Sequence, residues 1–166
     1  MPELSYQDLN DLCLSYTNVL PFYGQPEQIF FQILYDTGCR PAEVMRPDLW
    51  TWIGDNLVYL QPLKGNNQRK VYLSGEFPLV IEYFAAEETF LTNYSINKFR
   101  FIWDKFNGYG QLTNRNKGID LYCFRNRYVK YLKLRLGLTD AEIQTELGWT
   151  NSHLPGIYYN AEILRT

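Results

Sequence analysis

Few side chains in this chain of 166 residues can do the commonest kinds of chemistry. Cys13, Cys39 and Cys123 are scattered and His153 is the single histidine, so a Cys/His zinc site lacks ligands at workable spacing and no metal is expected. A Ser-His-Asp hydrolase would have to use His153, yet no Gly-x-Ser-x-Gly turn is present. A phosphate-binding loop ending in Gly-Lys-Ser/Thr is absent too, so no nucleotide or other cofactor is expected. What remains is cationic and phenolic. Residues 98–135 carry 10 Lys/Arg against 2 Asp/Glu, a local charge of +8, interleaved with Tyr, Phe and Trp. That pattern fits a surface that tracks phosphates, or a solvated helix face balanced by acidic neighbours. The flanks are acidic, with −7 over residues 1–97 and −3 over residues 136–166, so the net charge of −2 hides a strong asymmetry.

The elements that must position these groups follow from composition and period. With 46% hydrophobic, 17% aromatic and 20% charged residues, the chain reads as one ordinary globular domain with rings to spare for its core. No apolar run is long enough to span a bilayer, and no charged start precedes an apolar run. An odd, dispersed cysteine count reads as buried thiols in a reducing compartment. The expectation is a soluble, cytoplasmic protein without a membrane partner.

Ser5 with Asp8 three residues on predicts a helix start, continued to about Val19 through Leu9, Leu12 and Cys13 at helical spacing. Pro26 opens a buried helix over Gln28–Asp36 that Gly38 ends, and a short helix follows from Pro41 to Arg46. The period then changes. Trp50–Ile53, Leu57–Leu63 and Lys70–Leu73 read as strands, joined by Gly54-Asp55-Asn56 and Gly65-Asn66-Asn67-Gln68. Helices return over Pro78–Glu87 and Ser95–Phe106, the second with Ile96, Phe99, Trp103 and Phe106 on one stripe. A polar loop over Asn107–Gly118 leads to a basic helix, Asp120–Leu136. Thr139 and Glu142 form a capping box for a helix that Gly148 closes, and a last short helix falls near Tyr158. The fold class expected is mainly α with a small antiparallel β-sheet (α+β).

Several clusters, in order, resemble the tyrosine recombinase (phage integrase) family. Thr37-Gly38-Cys39-Arg40-Pro41-Ala42-Glu43-Val44 is similar to its first arginine box. Lys64-Gly65-Asn66-Asn67-Gln68-Arg69-Lys70-Val71 resembles its lysine hairpin. Tyr122-Cys123-Phe124-Arg125 resembles its His-x-x-Arg box, with Tyr122 where the family usually has His. Leu147-Gly148-Trp149 resembles its Leu-Gly-His/Trp element, and Tyr158 follows Gly148 at the interval of the family's nucleophile, with Tyr159 the neighbouring alternative. The resemblance runs from about Pro26 to residue 166. It implies a catalytic-domain-like fold over 26–166, with the helix in residues 1–25 part of the same domain and no separate N-terminal DNA-clamp domain.

The resemblance implies DNA strand breakage and rejoining through a covalent 3′-phosphotyrosyl intermediate, without metal or cofactor. Arg40 and Arg125 would hold the two non-bridging phosphate oxygens. Tyr158 would attack phosphorus as a phenolate favoured by the nearby cations. Lys64 would protonate the leaving 5′-hydroxyl. Trp149 would pack beneath the site with its indole N–H toward the phosphate. Tyr122 can donate or accept a hydrogen bond but does not serve as a general base as imidazole does. Arg115, Lys117, Arg127, Lys130 and Lys133 are the expected contacts to a DNA duplex backbone. With no clamp, self-association or a partner protein would supply affinity. Two other readings stay open: the same fold reused as a non-catalytic structural or interaction protein, for example in a phage virion, and a DNA-binding regulator that does not cleave.

Overall fold

A computed structural model of the protein describes residues 5–18, 24–63, 67–106 and 121–149. Helix α1 spans Tyr6–Tyr16, and the Ser5 hydroxyl accepts the Asp8 N–H at 3.1 Å, as its sequence signature predicts. Its buried face is Leu9, Leu12, Cys13 and Tyr16. Helix α2 runs Gln25–Thr37 with Pro26 in its first turn, where a missing N–H costs no bond. Gly38 ends it in a left-handed conformation (φ 66°), returning its N–H to the Leu34 carbonyl. Helix α3 is a single turn, Pro41–Val44, shorter than its sequence predicts because Pro47 starts a 3-10 turn over Pro47–Leu49.

The predicted sheet is present as β1 (Trp50–Gly54), β2 (Leu57–Leu60) and β3 (Arg69–Tyr72), antiparallel in the order β1-β2-β3. Asp55 and Asn56 both take positive φ (52° and 62°), the backbone of a tight hairpin turn that Asp and Asn tolerate. Helix α4 (Pro78–Ala85) packs on β1, and a 3-10 turn over Phe90–Asn93 leads to α5, Ile96–Phe106. Helix α6 spans Cys123–Leu134 and α7 spans Asp140–Leu147. The Thr139–Glu142 capping box closes in both directions, at 3.0 and 3.2 Å. The polar loop over 107–118 and the helix near Tyr158 lie outside the described residues.

Aromatic rings knit α1, α2, α5 and α6 into one core. Tyr16 stacks on Trp103 (4.3 Å between centroids) and its hydroxyl donates to the Trp103 carbonyl at 2.7 Å. Phe30 lies parallel to Phe99 at 3.9 Å. Each such buried ring contributes about 1.5–3 kcal/mol by leaving water. A smaller cluster of Val129, Leu132, Ile143, Leu147 and Trp149 fixes α7 against α6. Among the described residues no helix is long and apolar enough to cross a membrane.

Candidate nucleic-acid site

The turn Thr37-Gly38-Cys39-Arg40 is the centre of the site. The Thr37 hydroxyl donates to the Ile33 carbonyl at 2.7 Å and accepts the Cys39 N–H at 3.2 Å, so the side chain continues the helix cap into the turn. The last carbonyls of α2 carry the helix's partial negative charge, and two guanidiniums meet them. Arg69 Nη2 donates to the Thr37 carbonyl at 2.6 Å, and Arg125 Nη1 donates to the Gly38 carbonyl at 3.0 Å. Both arginines are 2% exposed. Within this turn Cys39 is not a nucleophile. Burial, with Glu43 adding to it, pushes its thiol up to about 12 against the opposing pull of Arg69 and Arg125.

Arg40 caps α3 from outside. Its N–H donates to Glu43 Oε1 at 2.7 Å, while its own Nη1 lies 3.8 Å from Glu43 Oε2, too far for a hydrogen bond. That Nη1 is buried and, among the described residues, makes no hydrogen bond. Glu43 does a second task. Its Oε2 accepts the N–H of Leu63 at 2.9 Å, so the chain just after β2 is fixed to the helix that Arg40 caps. Before β3, Asn67 donates its N–H to the Gly148 carbonyl at 2.8 Å. Gly148 is left-handed (φ 70°), and a Cβ there would collide with the Asn67 carbonyl oxygen. The described chain on either side, at Leu63 and Asn67, is thus tied to Glu43 and to Gly148 respectively.

Trp149 is 2% exposed, and the Arg125 guanidinium carbon lies 5.0 Å from its ring centroid, a cation–π contact that fixes the guanidinium plane. Tyr122 sits at the N-cap of α6, and its carbonyl accepts the N–H of Arg125 at 3.0 Å. The sequence expects Tyr122 inside the helix; the helix starts one residue later, with the i, i+3 relation to Arg125 kept. Arg40 lies in this turn, Arg125 bonds to it and Trp149 packs on Arg125, whereas Tyr122 is placed by its backbone at the start of α6. Lys64, Arg115, Lys117, Tyr158 and Tyr159 lie outside the described residues.

The basic helix behaves differently from a solvated face. Arg127 is buried, with Nε donating to Asn10 Oδ1 at 2.9 Å and Nη1 to the Tyr35 carbonyl at 2.9 Å, and its guanidinium lies 3.6 Å from the Tyr35 ring centroid. Lys130 is buried as well. Lys133 forms a 2.9 Å ion pair with Asp140 on α7. Arg127 turns inward because α6 packs against α1 and α2, whose Asn10 and Tyr35 accept its bonds. Arg69 is the site residue that sequence reasoning misses. Its signal was present: in Arg69-Lys70, strand alternation must send one of the two cations inward.

Among the described residues no group of three His, Cys, Asp or Glu side chains is placed to hold a metal ion. No protein-family model matches the chain, and no curated protein matches it. Its fold is similar to that in the crystal structure of XerA recombinase, with a TM-score of 0.65 and 16% sequence identity, covering 98% of this chain and 61% of that one. The chain therefore spans about three-fifths of that protein's length. The likeness shows the fold: a mainly α domain with a three-stranded antiparallel sheet, recombinase-like throughout the stretch compared.

Proposed function

We propose that this protein breaks and rejoins DNA strands through a phosphotyrosyl intermediate on Tyr158. The observation that carries the reading is the buried Arg40 Nη1, which among the described residues has a 3.8 Å ion pair to Glu43 but no hydrogen bond, beside a turn that Arg125 also reaches. A buried charged donor without an acceptor is costly, and a phosphate oxygen is an acceptor of matching charge and geometry. Arg40 and Arg125 would clamp the scissile phosphate. Trp149 would hold the Arg125 plane, a role its stacking supports better than donation to the phosphate. Lys64 would give its proton to the leaving 5′-oxygen as the Tyr158 oxygen bonds to phosphorus. Arg115 and Lys117 would meet the flanking backbone, with Lys133 joining them on release from Asp140.

The test is a nicked suicide DNA duplex from which the short downstream fragment bearing the freed 5′-hydroxyl diffuses away. A covalent adduct that maps to Tyr158 by mass spectrometry, and that disappears in Tyr158→Phe, is the expected result. A second reading has its own observation: Arg125 is 2% exposed and bonded to a backbone carbonyl, as a purely architectural arginine would be. Absence of adduct on nicked and intact duplexes, with little salt-sensitive DNA binding, overturns the first reading and favours the second, a recombinase-like fold serving as a structural or interaction protein.

A further inference from the structure

Away from this turn, a cavity of about 500 Å³ opens between strand β1 and the end of helix α4. Its wall includes Trp50, Thr51 and Trp52 in succession. Side chains of consecutive strand residues point to opposite faces, so three in a row reach one hollow only where it abuts the strand's edge. Among the described residues β1 is an outer strand of the sheet, paired with β2 on one side alone. Its other edge presents backbone N–H and C=O groups that an added strand could pair.

The opposite wall is acidic and aromatic. Glu87 takes a left-handed backbone (φ 54°), and Glu88 returns its N–H to the Tyr83 carbonyl at 3.0 Å, which wraps the chain around the helix end. Both carboxylates line the cavity and are exposed, and no ion pair among the described residues engages them. They add to the partial negative charge of the α4 C-terminus. Tyr83, 4% exposed, is part of the wall, and its hydroxyl has no hydrogen-bond partner among the described residues. Burial, reinforced by Glu88, pushes that phenol up to about 12, so it remains a neutral donor.

We propose that this cavity docks an extended basic segment of a partner protein, which adds a strand to the β1 edge and seats a Lys or Arg side chain between Trp52 and the Glu87 and Glu88 carboxylates. Backbone pairing supplies affinity without regard to sequence, and the aromatic, acidic wall selects the cation. The surface is separate from the turn around Arg40, and the inference does not rest on DNA cleavage.

The experiment titrates the full chain with a short synthetic peptide alternating Arg and Val, followed by tryptophan fluorescence, with a Glu/Val peptide as control. Saturable binding of the basic peptide alone is expected, weakened at least about tenfold in Glu87→Lys/Glu88→Lys. Charge reversal at the remote exposed residues Asp11 and Asp55 is expected to leave affinity within about twofold, since those carboxylates lie outside the cavity. Circular dichroism checks that each variant is folded. Equal binding of the acidic peptide, or equal weakening by the remote reversals, overturns the proposal. Self-association of the chain that the Glu87/Glu88 reversal abolishes also overturns it, because the surface then joins two copies of this chain.

Discussion

Arg125 reaches across from α6 to donate to the Gly38 carbonyl, 3.0 Å away and two residues before Arg40. The contact joins residues 87 positions apart at the negative end of α2. One cation therefore closes a helix and ties α6 to the turn that carries Arg40, whereas the Arg40 guanidinium, among the described residues, has only its 3.8 Å ion pair with Glu43.

The two arginines should accordingly fail in different ways. Arg40→Lys keeps the charge and loses the planar fork, and is expected to lower DNA-adduct formation about 10²-fold with little change in the urea midpoint. Arg125→Lys should lower adduct formation as much and also destabilise the fold by about 1.5–3 kcal/mol, since a charge-assisted bond to a buried carbonyl is weakened. Parallel adduct assays and urea titrations separate the cases. Equal stability losses in both variants would remove the distinction.

Gly38 and Tyr128 are matched in the same way. A Cβ at position 38 would strike the Tyr128 ring and lie 2.7 Å from its Cβ, and φ there is +66°. Gly38→Ala should cost about 1–2 kcal/mol for the left-handed backbone, plus the cost of the clash. Tyr128→Ala removes the ring and not the backbone strain. The double variant should therefore be more stable than the sum of the single effects, by about 0.5–3 kcal/mol in a double-mutant cycle. Strict additivity would mean that α6 moves freely away from the turn.

Local chemistry made much of this molecule readable. Ser5, the Thr139–Glu142 pair, Gly38 and Gly148 mark helix ends through side-chain oxygens or left-handed backbone that act within four residues. The sheet was visible because the period changed at Trp50, and the first turn because Asp55-Asn56 suits positive φ. Arg40, Arg125 and Trp149 were legible as a set only through resemblance, and they do gather about one turn. What stayed hidden depends on distant partners. Arg127 looks like a surface cation from its neighbours, yet its acceptors lie 117 and 92 positions away, on Asn10 and Tyr35. The inward choice between Arg69 and Lys70 is likewise made by the Thr37 carbonyl, 32 positions earlier.

The inward turn of Arg127 gives a measurable contrast. Arg127→Ala should destabilise the protein by about 1.5–3 kcal/mol, because the Tyr35 carbonyl loses a charged donor in a buried setting. Arg127→Lys should recover only part, since one ammonium does not reproduce both bonds and the stacking on Tyr35. Thermal or urea unfolding reads the effect. A phosphate contact would behave otherwise: stability unchanged, and the slope of log affinity for DNA against log salt reduced by about one.

Asp36 supplies a pH dependence whose sign is fixed by its setting. The carboxylate accepts the Ser74 N–H at 3.1 Å, which favours ionisation, but burial outweighs this and Glu76 adds to it, so its pKa is raised above the ordinary 3.8. The folded state then binds this proton more tightly than the unfolded state. Below the ordinary value both states are protonated and Asp36 is neutral to stability. As pH climbs through the window above 3.8, the unfolded chain ionises first, and Asp36 makes stability fall with rising pH. Asp36→Asn keeps an acceptor for Ser74 and removes the charge. Its urea midpoint should match the parent's near pH 3 and exceed it at pH 7, flattening that limb of the profile. A variant less stable than the parent at pH 7 would show that the ionised carboxylate, through Ser74, stabilises the link between α2 and the chain after β3.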